Sequence, residues 1–187
     1  MPLMPRGCSV AEFRLETDRL TLREWTDADR DGAWAMAQDP EVMRYLPVLD
    51  RAGSDAMVDR MIAMQAAHGH TFWVMERRAD GQYIGMCGMS PPREPLVEYE
   101  IGWRLARAAW GHGYAQEAAR ATLDWAWANR DMPTIVAITV ADNQRSWGLM
   151  ARLGMAHHRN EDFEHPSLPP GHPLRPHILY RIHRPFE

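Results

Sequence analysis

Polar and apolar residues alternate through Arg19-Leu20-Thr21-Leu22-Arg23, the period of a half-buried strand. Residues 1–15 before it hold no sustained period and are expected to form a loosely ordered lead-in. Thr26, followed by Asp27 and Asp29, offers a capping oxygen and negative charge for a helix expected to run to Gln38, where Asp39-Pro40 stops it. Ser54 is read as the cap of a second helix that reaches Ala67 before the break at His68-Gly69-His70. Within it Met57, Met61 and Met64 recur at helical spacing, which marks a core face.

Two β-rich runs follow, Thr71 to Glu76 and Gln82 to Cys87, on either side of the turn signal Ala79-Asp80-Gly81. A third run spans Val97 to Leu105. Gly111-His112-Gly113 then leads into an Ala-rich segment, Tyr114 to Asn129, with strong helix propensity. Ile135 to Val140 reads as a short apolar strand, and Ser146 to Leu153 as a short helix closed by Gly154. A Pro- and His-rich loop, Arg159 to Pro176, precedes a last strand, His177 to His183. The pattern is a mixed α/β (α+β) layer structure without internal repeats.

With 187 residues and 45% hydrophobic content, the chain has material for one domain with a sizeable core. A net charge of -4 argues against nucleic acid as a partner, because such surfaces depend on clustered cations that neutralise phosphates. No stretch has the length and apolarity of a membrane span or a signal peptide. Two cysteines, Cys8 and Cys87, make no disulfide framework, so the expected compartment is the reducing cytoplasm.

The chemistry concentrates at one place. A strand, then Trp110-Gly111-His112-Gly113-Tyr114-Ala115, then a helix is an order in which backbone N–H groups can face a phosphate. An acidic protein can therefore still hold an anion locally. A Walker loop is excluded because no Lys-Ser or Lys-Thr follows, and a dinucleotide fingerprint because its third glycine position is Gln116. Nine histidines, His157, His158, His165, His172 and His177 among them, show no spacing of a structural zinc site, so no metal is expected. Cys87 sits mid-strand with no basic neighbour in sequence and makes a poor nucleophile.

The stretch from Glu100-Ile101-Gly102-Trp103-Arg104-Leu105 to Gln116-Glu117-Ala118 closely resembles the acetyl-CoA signature of the GNAT N-acetyltransferases. Glu16 to Arg23 resembles the first strand of the branch that includes the ribosomal-protein alanine N-acetyltransferases. Asn143-Gln144-Arg145-Ser146 and Leu153-Gly154-Met155 resemble that branch's Asn-x-x-Ser helix and its exit. The resemblance implies a GNAT domain over residues 16–187 with a mixed, mostly antiparallel sheet, splayed near the donor and flanked by helices. It also implies direct acetyl transfer from acetyl-CoA to a primary amine, without an acyl-enzyme, and leaves a homodimer open.

Residue by residue, the resemblance puts Trp103 and Leu105 on the pantetheine arm, and Gly111, His112, Gly113, Tyr114 and Ala115 around the pyrophosphate. Asn143 matches the residue that bonds the pantetheine, and Ser146 the hydroxyl near the thioester sulfur. Glu100 is the expected base, acting through a water, with Glu98 in reserve on the same strand face. Ser146 is also expected to cap its helix. Two positions depart from the family pattern. Where many members carry Gln or Arg three residues before the first glycine, this chain has Ala108, with Arg107 as the neighbouring substitute. Where many carry a Tyr acid, it has Met150.

Glu161, Asp162 and Glu164, in the long loop before the last strand, are expected to draw a cationic acceptor by their charge. The acceptor itself stays open between a protein N-terminus and a small-molecule amine. An α-amine with pKa about 7.7 to 8.0 needs less help from a base than a lysine amine near 10.4, which favours the former. The competing reading is a GNAT-fold protein that binds acyl-CoA as a sensor or scaffold with little turnover.

Overall fold

The computed structural model describes residues 12–185, so Cys8 and most of the expected lead-in lie outside the described residues. The lead-in ends earlier than its lack of period implies. Strand β1, Arg14–Glu16, pairs antiparallel with β2, Leu20–Arg23, and Phe13 stacks on Trp73 with ring centroids 4.2 Å apart.

A 3-10 turn at Asp27–Asp29 leads into helix α1, Arg30–Ala37. Asp39-Pro40 stops that helix by starting another. Asp39 caps α2, Pro40–Met43, through its side chain, and the proline occupies a first-turn position where a missing N–H costs nothing. Helix α3, Arg51–His68, starts earlier than expected, because Asp50 caps it by accepting from Gly53 N–H at 2.7 Å. Ser54 is buried within α3 and not at its end.

Strands β3, Phe72–Arg77, and β4, Gln82–Ser90, form the expected hairpin, and β5, Tyr99–Leu105, extends it. Helix α4 covers Tyr114–Asn129 as read from propensity. Then come β6, Thr134–Thr139, helix α5, Gln144–Arg152, two short strands, β7, Ala156–His157, and β8, Phe163–Glu164, and finally β9, Pro176–His183. The main sheet runs β1-β2-β3-β4-β5-β6-β9-β7, with β8 on β9.

Among the described residues every strand pair is antiparallel except β5 with β6, and that pair is brief. Only Tyr99 with Ile135 and Glu100 with Val136 are matched. Beyond them β5 continues along β4 to Leu105, while β6 continues along β9 to Thr139. The sheet therefore splits into a V that opens past Glu100.

Each face of the sheet has its own cover. Ile101 and Leu105 of β5 pack in one buried cluster with Ala118, Ala119 and Leu123 of α4. Met57, Val58 and Met61 of α3 pack against Val74 and Met86 on the opposite face, so the methionine stripe is core. Among the described residues no helix is long and apolar enough to cross a membrane.

Candidate active site

The V is a groove of about 1310 Å³. Glu100, Trp103 and Leu105 line it from β5, Gly111, Gly113, Tyr114 and Ala115 from the entry to α4, and Asn143 and Ser146 from α5. The predicted residues therefore converge although they come from three elements. Two do not face it. Arg107 is 63% exposed, binds Asp39 at 2.9 Å and lies outside the groove lining, where the absent Gln or Arg was expected to be replaced. His112 contributes its carbonyl, which accepts from Arg19 Nη1 at 2.9 Å outside the groove lining.

The glycine loop is held from behind. Glu117 accepts from the Thr17 hydroxyl at 2.6 Å, from Arg19 N–H at 2.9 Å and from Arg19 Nε at 2.7 Å, which ties the first turn of α4 to the β1–β2 turn. Gly111 and Gly113 have φ of +80° and +79°, a region that only glycine enters freely. A Cβ on Gly111 would meet nothing within 4 Å, and one on Gly113 only Arg19 Nη2 at 3.5 Å. Backbone conformation, more than protein crowding, is thus what demands glycine here. Among the described residues no side chain caps the start of α4, so its first-turn N–H donors stay available to an anion.

Sequence reasoning missed five arginines in the groove lining: Arg44, Arg93, Arg104, Arg145 and Arg152. Arg145 lies over the Trp110 ring at 4.5 Å, and Arg152 reaches Gln116 at 3.3 Å. The two stand seven residues apart, two turns on one face of α5. That spacing, beside the Asn-x-x-Ser match, was the signal that could have found them.

Glu100 occupies the last paired position before the V opens. Its Oε2 accepts from Arg93 Nη2 at 2.5 Å, and its Oε1 takes no hydrogen bond among the described residues. Burial pushes the carboxyl above its ordinary range, and the Arg93 charge opposes this only in part. Glu98 is unsuited to the reserve role. It precedes β5, lies outside the groove lining and binds Arg181 at 2.6 Å, which holds its pKa down.

At the start of α5, Asn143 is the cap and not Ser146, since the Asn143 side chain accepts from Ser146 N–H at 3.4 Å. Asn143 Nδ2 also donates to Thr139 Oγ1 at 3.0 Å, fixing the amide at the rim of β6. Met150, at the position of the expected Tyr acid, is buried and brings no titratable group. Cys87 is buried too, and its thiol is pushed up to about 12, which removes it as a nucleophile.

The acidic loop is paired within the protein and lies off the groove lining. Glu161 pairs with Arg181 at 2.6 Å, Asp162 accepts from His157 at 2.9 Å and from Leu179 N–H at 3.0 Å, and Glu164 binds Arg175 at 2.9 Å. None of the three lines the groove. Their charge is consumed in fastening the loop to β9. Changing all three to amides is therefore expected to lower the melting temperature by a few degrees and leave the acceptor KM unchanged. Calorimetry with steady-state kinetics checks this, and a KM that rises while the melting point holds would restore the expected draw on the acceptor. Among the described residues no cluster of His, Cys, Asp or Glu could hold a metal ion.

Residues 19–156 match the family model described as acetyltransferase (GNAT) domain. An uncharacterized Bacillus subtilis protein, YkkB, is 34% identical over 148 residues, spanning 78% of this chain and 86% of the relative. The crystal structure of an acetyltransferase from Agrobacterium tumefaciens superposes with a TM-score of 0.76 at 27% identity, covering 97% of this chain and all of the other. The ribosomal L7/L12 alpha-N-protein acetyltransferase RimL, in complex with coenzyme A, shares the fold with a TM-score of 0.75 at 13% identity, covering 91% of this chain and 98% of its own. A splayed sheet, an uncapped glycine entry to α4 and a family match over most of the length lead to one conclusion: the chain belongs to the GNAT acetyltransferases and is an acetyl-CoA-dependent acyltransferase.

Proposed function

We propose that this protein transfers the acetyl group of acetyl-CoA directly to a primary amine, a protein N-terminus or a small molecule, held in the V beside Glu100. The supporting observation is a partly buried carboxylate with one oxygen unbonded among the described residues, at the point where the two strands part.

In this reading the first-turn N–H groups of α4 hold the pyrophosphate, with Arg145 and Arg152 nearby as counter-charges. The backbone of Trp103 and Leu105 and the amide of Asn143 hold the pantetheine. The amine nitrogen attacks the thioester carbonyl carbon, and its proton passes through a water to Glu100. The carbon–sulfur bond breaks, and the departing thiolate is protonated from solvent through a water held by the Ser146 hydroxyl, since Met150 offers no proton, while Glu100 returns the amine proton to solvent before the next turnover. Cys87, buried and with its thiol pushed up, is no acyl carrier, which favours a ternary complex over an acyl-enzyme. The reducing cytoplasm suits such an enzyme.

Initial rates with both substrates varied test the order of events. Intersecting double-reciprocal lines are expected; parallel lines with a trapped acetyl-protein would replace direct transfer by a two-step path.

A further inference from the structure

Arg104 lies four residues after Glu100 on β5 and therefore on the same face of the sheet. That face is the one covered by α1 to α3. Ile101 and Leu105, which alternate with Glu100 and Arg104, pack with α4, whereas Met86, directly across from Arg104, packs with Met57 and Val58 of α3. Arg104 is thus turned away from the glycine loop side, and it lines the groove together with Phe72 and Met86.

The Nε and Nη1 of Arg104 are buried and have no hydrogen-bond partner among the described residues. The other groove arginines all have company. Arg44 binds Glu41 at 2.6 Å, Arg93 binds Glu100 at 2.5 Å, Arg145 covers Trp110 at 4.5 Å, and Arg152 reaches Gln116 at 3.3 Å. A guanidinium withdrawn from water without an acceptor is costly, and its burial weighs against the charged form. A ligand anion would supply the missing acceptor.

We infer that the acceptor amine carries an anionic group, carboxylate or phosphate, which Arg104 holds while the amine points at Glu100. This rests on the direct-transfer reading above and names the substrate class for the same groove. Four strand residues at about 3.3 Å each put the two Cα atoms about 13 Å apart, and both side chains reach inward from there. Phe72 and Met86 line the groove on this face, so a short, partly apolar body joins amine to anion. A dipeptide or tripeptide with a free carboxylate has that reach.

The test compares matched acceptors: di- and tripeptides with a free C-terminal carboxylate against their amides, and aminoalkyl phosphates against the corresponding amino alcohols. The wild-type protein is expected to favour the anionic member of at least one pair by tenfold or more in kcat/KM, and the preferred pair identifies the anion. Arg104→Met should abolish that preference through KM, with rates on the neutral acceptors and affinity for acetyl-CoA within about twofold of wild type. Arg104→Lys, which keeps the charge without the fork, should recover part of the preference and serves if the Met variant does not fold. Amines acetylated with no preference for an anion would overturn the inference and leave direct transfer standing, as would an Arg104→Met protein whose loss lies in acetyl-CoA binding. A readout without turnover separates the two claims. N-acetylated peptide carboxylates or N-acetylated aminoalkyl phosphates, at least one of the two classes, should bind wild type at least tenfold more tightly than they bind Arg104→Met by calorimetry, even if no amine is turned over, and equal binding of both classes would sink the proposal.

Discussion

Glu100→Gln is expected to lower turnover about 10²-fold at neutral pH while acetyl-CoA binds as before. Glutamine keeps the shape of the side chain and a hydrogen bond from Arg93, whose Nη2 lies 2.5 Å from Glu100 Oε2, but it cannot take up a proton. The pH profile carries the sharper statement. Burial raises the folded pKa of Glu100, so the wild-type rate should fall as pH drops through a value above the ordinary carboxylate range, where the base becomes protonated. That acidic limb should vanish in the Gln variant, leaving only the dependence set by deprotonation of the amine. Turnover within a few-fold of wild type across pH 6 to 9, with the limb intact, would make Glu100 a structural partner of Arg93.

Gly113→Val is expected to weaken acetyl-CoA binding by about 2 kcal/mol, roughly 30-fold, in a protein that still folds. At φ +79° a β-branched residue is strongly disfavoured, so the loop must relax and its N–H groups lose their common aim. Space is not the issue, since the nearest protein atom to a Cβ there is Arg19 Nη2 at 3.5 Å. Calorimetry on a variant with native circular dichroism checks the prediction. Unchanged affinity would mean that the pyrophosphate lies elsewhere.

Local features of the fold were legible in the sequence because they are written within a few residues. The turn at Ala79-Asp80-Gly81, the Ala-rich α4 and the two loop glycines each signal their conformation by composition, and the structure has them where they were read. Capping was less legible, because several oxygen-bearing residues compete near each helix start. Asp50 and Asn143 won over Ser54 and Ser146. Asp39-Pro40 reads equally as a stop and as a start, and only the packing of Val42 and Met43 against Met36 and Ala37 decides.

The candidate site divides along the same line. Glu100, the glycine loop, Asn143 and Ser146 could be named because a motif carries each, and all of them but His112 of the loop line the groove. Pairing could not be read at all. Glu98 meets Arg181 from 83 residues away, and Glu161 meets the same guanidinium from 20, so an acidic run that reads as free charge is neutralised in the fold. Arg104 is the reverse case. In sequence it is an ordinary polar strand residue, and the lack of a partner among the described residues for its buried Nε and Nη1 exists only in three dimensions.

The central claim is that the groove acetylates amines, and the most direct measurement counts both products. Protein, acetyl-CoA and a broad panel of amines, α-amino peptides, free amino acids, polyamines and aminoglycosides included, are followed for thiol release while the N-acetyl product is quantified by mass spectrometry. The account predicts at least one amine that gives equal amounts of coenzyme A and N-acetyl amine over many turnovers, with release lost in Glu100→Gln. Tight acetyl-CoA binding with no acceptor-dependent thiol release from any amine in the panel would contradict it, and would make the protein an acyl-CoA sensor built on the same fold.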